Sequence, residues 1–401
     1  MQQRILSIDF LRGLTIFLMI VVNNPGSWGT WDSENAVWVN HLFLPLSHAA
    51  WHGATSTDMI FPFFIFIMGC SIAFALGKKK ETQPKNQLIL TVIKRGALIF
   101  LLGFLKDNFP FVYFNIEGEL LLKEFGAYRI MGVLQRLGIV FMLTGSLFLL
   151  TNWKQQLYIA VAILLAYWGI IHIEISGAFV KDLNKQGFYN FGTYLDHLIL
   201  GGRHFWINNW EPEGLLGTFT TSVSTCLIGV LSGQWIVSDK TLLEKISSLF
   251  AIGGVLVVLG LFWDLALPIN KGLWTSSYVV YAGGIAMLCT AFSLWIIDYL
   301  QFTKFTTPAI KFGSNALTAY LLSELVSNLV HFIPVNGGTI SGKMADFILS
   351  IFTKTPYMLI IENHPDLIYA KIASHIYAII WIIPFYLLLS WMYKKKIFIK
   401  V

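Results

Sequence analysis

The stretch TDMIFPFFIFIMGCSIAFALG at residues 57–77 contains one charged side chain, Asp58, and runs directly into three lysines. A helix crosses a bilayer core about 30 Å thick with roughly 20 apolar residues, so this stretch predicts a membrane-spanning helix. Similar runs recur throughout the 401 residues, of which 56% are hydrophobic and 12% charged. Soluble chains carry about 25% charged residues. A water-soluble globular protein is therefore excluded.

Apolar runs bounded by charge, proline or glycine predict about ten spans, so the expected fold class is an all-α, polytopic transmembrane helical bundle. The spans are expected near 6–25, 57–77, 88–105, 130–150, 156–173, 215–237, 246–267, 274–297, 309–331 and 371–393. The loops leave no room for a separate soluble domain, so residues 1–401 are expected to form a single transmembrane domain. The piece 343–353 is too short to span and is expected to be an interfacial helix.

The placement of charge predicts the orientation of the bundle. Lysines cluster in alternate short loops and near the C-terminus, whereas residues 26–56 contain no lysine or arginine. Under the positive-inside rule, both termini are cytoplasmic, and the longer loops 26–56, 106–129, 174–214 and 332–370 face outward. The first span lacks a signal-peptide cleavage pattern and is expected to be retained. The net charge of +6 reflects the cytoplasmic lysines, so no nucleic-acid partner is expected.

Cysteine and histidine spacings give no reason to expect a metal. Cys70, Cys226 and Cys289 lie in apolar runs without a C-x-x-C spacing, so they are expected to be small core residues. His48 and His52 stand four residues apart, which would place two ligands on one face of a helix. No third ligand of matching pattern follows them.

Ionisable residues in apolar spans are costly, which makes them candidates for functional sites. Asp9 and Arg12 stand three residues apart on the first span, and this spacing predicts a local ion pair near its cytoplasmic end. Asp58 begins the second span, where a carboxylate can cap the helix. Arg129 begins the fourth span on the same side. We expect Asp58 to face Arg129, either as a structural latch or as a pair that shapes a site.

The outer loop 174–214 mixes aromatic residues with acids, amides and histidines. They include Tyr194, Asp196, His197, His204, Trp206, Asn208, Asn209, Trp210, Glu211 and Glu213. Aromatic rings stack on sugar faces while polar neighbours bind hydroxyls, but Trp and Tyr also populate the membrane interface. Composition therefore leaves carbohydrate binding and an interfacial belt as alternatives.

Eight ordered motifs resemble the heparan-alpha-glucosaminide N-acetyltransferase family. They are SIDFLRG (7–13), VVNN (21–24), HAAWHGAT (48–55), DMIFPFFIFIMG (58–69), RIMGVLQRLG (129–138), EPEGLLGT (211–218), PINKGLWT (268–275) and YKKKIFIK (393–400). The resemblance covers nearly the whole chain. It corresponds to the ten-span core of the family without the luminal domain of lysosomal members, so a bacterial inner membrane is the expected location.

The resemblance implies transfer of acetyl from cytoplasmic acetyl-CoA to the amine of a glucosamine-type sugar or glycan on the extracytoplasmic side. Acetyl-CoA would be the co-substrate, and the lipid bilayer the surrounding medium. The catalytic histidine of the family corresponds to His48, and its functional asparagine to Asn23. His52 departs from the family pattern, so the resemblance implies no role for it. Formation of a homodimer is left open.

Two further sets of residues are assigned to the substrates. Contact with the acceptor sugar is expected from Asp58, Arg129, Trp51, Glu213, Asn270 and Lys271. Contact with acetyl-CoA is expected from Arg95, Lys94, Arg136, Gln135, Ser314 and Asn315, because phosphates favour basic groups and helix N-termini. Arg136 lies deeper in its span, where it would meet the pantetheine arm or pair with a carboxylate.

The sequence leaves two mechanisms and two other functions open. His48 would act as a general base on the acceptor, or it would carry the acetyl group covalently. Direct transfer is favoured because positioning alone supplies much of the acceleration. Asn23 would orient His48 or donate to the oxyanion. The alternatives are O-acetylation of a polysaccharide, and transport of a sugar or anion along Asp58, Arg129 and Arg136.

Overall fold

The computed structural model describes most of the chain. The described residues are 5–23, 48, 49, 51–115, 117–174, 190–201, 203–206, 210–335, 337–355, 360 and 365–399. Most of the predicted outer loop 26–56, part of the loop 174–214, and Asn208 and Asn209 therefore lie outside the described residues.

The described residues form α-helices joined by short loops, with two small β-hairpins. The helices are α1 (Leu6–Asn23), α2 (Ser56–Thr82), α3 (Lys85–Asn108), α4 (Val133–Leu150), α5 (Trp153–Ile170), α6 (Phe191–Leu200), α7 (Leu215–Phe219), α8 (Thr221–Ile236), α9 (Leu242–Asp264), α10 (Ser276–Ser293), α11 (Thr307–Ser314), α12 (Ala316–Phe332), α13 (Ile340–Leu349) and α14 (Leu367–Lys394). A 3-10 turn covers Phe125–Ala127, and a π-helical turn, Leu294–Tyr299, extends α10. The hairpins pair β1 (Val112–Phe114) with β2 (Leu120–Leu122), and β3 (Pro334–Val335) with β4 (Gly338–Thr339).

Eight helical segments of the described chain are long and apolar enough to cross a membrane, which confirms the polytopic helical membrane fold. They are α1, α2, α3, α4, α7 with α8, α9, α10 with its π-helical turn, and α14. The predicted spans 156–173 and 309–331 are helical, but neither contains a helix that is both long enough and apolar enough to join these eight. Polar residues Lys154, Gln155 and Gln156 occupy the first turn of α5. Helix α12 has 17 residues and is separated from α11 at Asn315.

The helices differ in how deeply they lie within the bundle. In the α7–α8 segment, 78% of the apolar window is buried inside the protein, against 22% in α3 and in α9. Helix α3 instead presents Leu90, Leu98, Leu101 and Leu105 outward. Such an apolar face is unfavourable in water and suits lipid. The α7–α8 segment is therefore central, and α3 and α9 lie at the lipid-facing periphery.

Glycines allow α2 and α8 to pack closely. A Cβ atom added to Gly69 would lie 2.1 Å from the carbonyl oxygen of Cys226, and one added to Gly229 would lie 2.0 Å from that of Phe66. Helices in lipid associate largely through such close packing, because lipid tails are as apolar as the side chains. Cys70 and Cys226 are fully buried here, which confirms their prediction as small core residues.

Hydrogen bonds show which helix ends lie together. Lys80, in the last turn of α2, donates to the carbonyls of Phe148 and Thr151 at the end of α4, at 2.6 Å each. Asn108 and Arg129 exchange two hydrogen bonds and join the end of α3 to the segment before α4. The start of α2, the end of α3 and the start of α4 therefore share one end of the bundle, called here the outer end because the lysine pattern predicts it to be extracytoplasmic.

Two local predictions are confirmed. Arg12 Nη1 lies 3.1 Å from Asp9 Oδ1, and its Nη2 donates to Ser71 Oγ at 2.9 Å, so the predicted ion pair also joins α1 to α2. The segment 343–353, predicted as a short interfacial helix, overlaps α13 (Ile340–Leu349), whose Phe347 side chain is exposed; its interfacial position stays a prediction.

Candidate functional site

The start of α2 fixes the position of Asp58. Thr55 is the N-cap residue, and the Asp58 carboxylate three residues later accepts hydrogen bonds from the Thr55 backbone N–H at 3.0 Å and from the Thr55 hydroxyl at 3.2 Å. This reciprocal capping arrangement satisfies amides that the first helical turn leaves unpaired. Tyr278 of α10 donates to the backbone carbonyl of Asp58 at 2.6 Å and fixes it from the other side. The predicted capping role of Asp58 is confirmed.

His48 pairs with this carboxylate. Its Nδ1 lies 2.6 Å from Asp58 Oδ1, while Asp58 Oδ2 accepts the backbone N–H of Ala49 at 2.9 Å. A carboxylate surrounded by donors acts as an ionised acceptor, so the network assigns the histidine proton to Nδ1. In the neutral ring, Nε2 then carries a lone pair, and Lys271 Nζ lies 3.5 Å from this nitrogen. The His48 side chain is 54% exposed, and that of Asp58 2%.

Lys271 is the third member of this group. Its Nζ lies 3.1 Å from His48 Nδ1 and 3.6 Å from Asp58 Oδ1. Because Nδ1 already carries a proton, the lysine contributes its charge beside the pair. Burial lowers the pKa of Lys271, and the nearby Asp58 carboxylate opposes that decrease. We call His48, Asp58 and Lys271 the His48 cluster.

Two loops hold the cluster together. The backbone N–H of Gly53 donates to the Ile269 carbonyl at 2.8 Å, and Asn270 Nδ2 donates to the Trp51 carbonyl at 3.0 Å. Asn270 is fully buried, and its Oδ1 accepts the Leu273 N–H at 2.8 Å. The segment after residue 48 is thereby tied to the loop that carries Lys271. The described residues between 48 and 55 are not helical, so His48 and His52 do not share a helix face.

His52 forms a second histidine–aspartate pair beside the first. Its Nε2 lies 2.8 Å from Asp264 Oδ1, at the end of α9. The same oxygen accepts the Ile269 N–H at 2.5 Å. This pair therefore adds a side-chain link between the same two loops.

Arg129 does not face Asp58, so that predicted pair is wrong. Arg129 instead donates to Glu211 Oε2 at 2.9 Å and to Glu213 Oε2 at 2.7 Å, and its guanidinium stacks on Trp206 with 4.7 Å to the ring centroid. Burial by itself lowers the pKa of Arg129, but the two glutamates outweigh it and raise that pKa. Arg129 has its partners on a loop more than 80 residues away, whereas Asp58 pairs with the nearby His48 and with the distant Lys271.

Arg136 is buried in α4 at the outer end. Its Nε donates to Thr218 Oγ1 at 3.0 Å and its Nη2 to the Pro212 carbonyl at 2.9 Å. The guanidinium lies over the ring of Trp274, 4.7 Å from the centroid. Gln135, its neighbour, donates to Asp107 Oδ2 at 2.9 Å. Both predicted acetyl-CoA residues therefore lie at the same end of the bundle as the His48 cluster.

A buried ionic group that sequence reasoning missed lies near Asn23. Lys106 Nζ is 2.5 Å from Asp107 Oδ1 and 3.6 Å from Glu324 Oε2. The side chain of Asn23 lies beside Glu324. Among the described residues, no hydrogen bond joins Asn23 to His48. Glu324 was detectable as an ionisable residue within an apolar run, but its partners were not, because they come from other spans.

The remaining predicted acetyl-CoA residues are spread over the bundle. Lys94 and Arg95 are exposed on α3. Ser314 donates to the Lys311 carbonyl at 2.8 Å. Asn315 donates to the Ile397 carbonyl at 3.0 Å and accepts the Ile399 N–H at 2.8 Å, which holds the C-terminal segment. The structure does not bring these four residues into contact with Arg136.

Fold and site together define a polytopic helical integral membrane protein with a histidine–aspartate–lysine cluster at one end of the bundle. A family model described as "Domain of unknown function (DUF5009)" matches residues 4–178, a segment that includes His48, Asp58, Arg129 and Arg136 but not Lys271.

Two named proteins are similar over most of the chain. Heparan-alpha-glucosaminide N-acetyltransferase of Mus musculus is 25% identical over 453 residues, which cover 99% of this chain and 60% of the mouse protein. The Homo sapiens protein of the same name is 25% identical over 383 residues, which cover 82% of this chain and 54% of the human protein. The chain thus spans less than two thirds of the length of these curated relatives. It is a distant relative of heparan-alpha-glucosaminide N-acetyltransferase.

Proposed function

We propose that this protein is a membrane acetyltransferase that transfers acetyl from cytoplasmic acetyl-CoA to the amine of a glucosamine-type sugar on the extracytoplasmic side. The observation that carries the proposal is the hydrogen bond from His48 Nδ1 to the buried Asp58, which leaves Nε2 available as a base. The names of the two relatives support the reaction class. The lysine pattern supports an extracytoplasmic position for His48.

Direct transfer needs one proton acceptor beside the reacting atoms. The neutral amine attacks the thioester carbonyl carbon, the new C–N bond forms, and His48 Nε2 takes the proton that the nitrogen must lose. The C–S bond then breaks, and the proton passes from Nε2 to the departing thiolate of CoA. Asp58 favours this cycle because it holds the ring in one tautomer and stabilises the charged imidazolium.

Fixed donors beside the reacting carbonyl would stabilise the oxyanion of the tetrahedral intermediate. Lys271 supplies a positive charge within 3.1 Å of the His48 ring, so it is a candidate for this role. Asn23 remains the second catalytic residue of the proposal. Its side chain lies beside Glu324 of α12.

The proposed acceptor side is the outer end. Trp51 and Asn270 support the loops that carry His48 and Lys271, and the buried Arg129–Glu213 pair supports the neighbouring segment before α7. We assign these four residues to shaping the acceptor entrance, with Asp58 and Lys271 nearest the chemistry.

The proposed acetyl-CoA route begins at the opposite end. Lys94 and Arg95 are exposed near the middle of α3, roughly 14 Å along the helix from its cytoplasmic start at Lys85 at 1.5 Å per residue. These cations suit the CoA phosphates, whereas the Ser314 and Asn315 side chains already have backbone partners. Gln135 and Arg136 are candidates for the acetyl-bearing end of the route.

The reaction is tested with purified wild-type protein in detergent and radiolabelled acetyl-CoA. Glucosamine is the acceptor, and glucose is the matched control, which differs at C2 by a hydroxyl in place of the amine. We expect labelled N-acetylglucosamine and no labelled glucose. Label on glucose or on a polysaccharide hydroxyl would replace N-acetylation by O-acetylation, and absence of acetyl-CoA binding would contradict the proposal.

A second readout separates the two routes and the transporter alternative. Label that remains on the protein when no acceptor is present would favour an acetyl-histidine intermediate over direct transfer. Uptake of unmodified sugar into proteoliposomes without acetyl-CoA would favour transport. A bacterial inner membrane and a homodimer remain proposals, for which cell fractionation and the mass of the purified particle are the tests.

A further inference from the structure

The last helix, α14, ends in a turn that reverses the chain. The Lys396 N–H donates to the Tyr393 carbonyl at 3.1 Å, and the Ile397 N–H donates to the Met392 carbonyl at 2.9 Å. These two bonds form a Schellman motif, whose left-handed position is usually glycine. Lys396 occupies that position with a φ of 56°. Because a lysine is strained there and glycine is not, the position favours a role for the lysine charge.

Asn315 holds the reversed segment. It lies at the break between α11 and α12 and is 2% exposed. Its Nδ2 donates to the Ile397 carbonyl at 3.0 Å, and its Oδ1 accepts the Ile399 N–H at 2.8 Å. One amide side chain thus pairs two backbone groups of the segment, as a neighbouring strand would. Unpaired backbone groups are costly near lipid, so this clamp suits a segment that leaves water.

The neighbours of Asn315 show at which end of the bundle the clamp lies. Gly313 packs against the first turn of α1, where an added Cβ atom would lie 2.5 Å from the Asp9 carbonyl oxygen. Arg12, one turn further along α1, contacts Ser71. Ser71 is about 22 Å along α2 from its start at the outer end. The clamp therefore lies at the opposite end, called here the inner end, which the lysine pattern predicts to be cytoplasmic.

The reversed segment combines positive charge with an apolar surface. Residues 394–396 are three exposed lysines. They are followed by Ile397, Phe398 and Ile399, which are 39%, 42% and 52% exposed. Adjacent lysines attract anionic lipid headgroups, and apolar side chains beside them enter the boundary of the acyl chains. An acidic peptide would pair with the lysines, but the bilayer around the bundle supplies both the charge and the apolar medium.

We propose that residues 394–399 form an inner-end anchor that binds the headgroups of acidic phospholipids. The three lysines contact the headgroup phosphates, residues 397–399 lie among the first carbons of the acyl chains, and Asn315 holds the segment at this depth. The anchor does not depend on the proposed acetyl transfer. It gives the motif YKKKIFIK a role, and it moves Asn315 from the predicted acetyl-CoA set to the support of this segment.

The test compares the unfolding temperature of the full chain in nanodiscs of phosphatidylcholine alone and in nanodiscs of equal parts phosphatidylcholine and phosphatidylglycerol. We expect wild type to gain about 3 °C in the acidic nanodiscs, because a ligand of the folded state stabilises it. Lys394→Gln/Lys395→Gln/Lys396→Gln should lose most of this gain.

The matched control is Lys78→Gln/Lys79→Gln/Lys85→Gln, which neutralises three other exposed lysines on the predicted cytoplasmic side and should keep the gain. Equal losses in the two triple variants would overturn the proposal, since they would show general attraction of positive charge. An equal gain in all three proteins would overturn it as well.

Two further measurements separate the clamp and the source of the phosphate. Asn315→Asp keeps the acceptor for Ile399 but removes the donor to Ile397, so it should lose part of the gain, and an unchanged gain would contradict the clamp. Coenzyme A is then added in phosphatidylcholine nanodiscs. We expect it to shift the unfolding temperatures of wild type and of the 394–396 variant equally. A shift in wild type that this variant lacks would overturn the proposal, because the lysines would then bind the CoA phosphates.

Discussion

The histidines of two histidine–aspartate pairs stand four residues apart, and the pairs differ in ways that the sequence does not show. His48 and His52 are equally exposed, at 54%, and lie 2.6 and 2.8 Å from their carboxylates. His48 uses Nδ1 and His52 uses Nε2. Asp58 is 2% exposed and has three further donors, whereas Asp264 is 25% exposed.

The contrast indicates which histidine is prepared for chemistry. The buried, fully bonded Asp58 fixes one tautomer of His48 and is flanked by the charge of Lys271. Asp264 divides its oxygen between His52 and the Ile269 N–H, so the second pair works mainly as a link between loops. Pairing alone does not define a catalytic histidine, because the burial of the carboxylate and the nitrogen left free decide what the ring can do.

The largest expected difference follows from removing one charge from each pair. Asp58→Asn should lower kcat for acetyl transfer by about 10²- to 10⁴-fold, because an amide donor at this position favours the tautomer with the proton on Nε2. Asp264→Asn should lower it less than about threefold. Both are measured in the same radiolabel assay. Equal losses in the two variants would remove the distinction between the pairs.

The pH dependence of stability should show a separate acid near the site. Burial raises the pKa of Asp196 to about 7, well above the ~3.9 of an unfolded aspartate. The unfolded chain therefore releases this proton first, and the folded protein loses stability as pH rises from about 4 to about 7. Asp196→Asn lacks this loss. Its free energy of unfolding at pH 8 should therefore exceed that of wild type by at most about 4 kcal/mol.

Thermal unfolding of both proteins in detergent at pH 4 and pH 8 measures this effect. The variant should match wild type at pH 4 and melt higher at pH 8. The same variant also helps to interpret a pH–rate profile. An activity change near neutral pH that persists in Asp196→Asn does not come from ionisation of Asp196. A variant with the same advantage at both values of pH would contradict the assigned ionisation.

A smaller effect is expected from Lys271→Met, which removes the charge beside the first pair while keeping an unbranched side chain. We expect kcat/KM to fall roughly tenfold, consistent with the loss of one charge-assisted contact. Lys271→Arg, which keeps the charge, should recover part of the activity. A loss as large as that of Asp58→Asn would give Lys271 the leading role instead.

The sequence predicted local features better than long-range partners. Apolar length predicted the spans, three-residue spacing predicted the Asp9–Arg12 pair, and the capping position of Asp58 followed from its place before an apolar run. The partner of Asp58 was predicted wrongly, because Lys271 arrives from a loop more than 200 residues away and Arg129 is taken by Glu211 and Glu213.

Asp264 and Glu324, to which the sequence assigned no role, also depend on partners that are distant in sequence. Asp264 ends α9 and reads as an ordinary helix-terminal acid until His52 is placed beside it. Glu324 was visible as a charge in an apolar run, yet its contact with Lys106 depends on how α3 and α12 pack. The catalytic assignment of His48 and Asn23 came from the resemblance and still needs a direct test.

That test is single-turnover acetyl transfer from radiolabelled acetyl-CoA to glucosamine by wild type, His48→Ala and His52→Ala, each purified in detergent and matched for thermal stability. We expect labelled N-acetylglucosamine from wild type and His52→Ala, and a rate at least about 100-fold lower from His48→Ala. Equal rates in His48→Ala and wild type would contradict the assignment of His48 as the catalytic histidine.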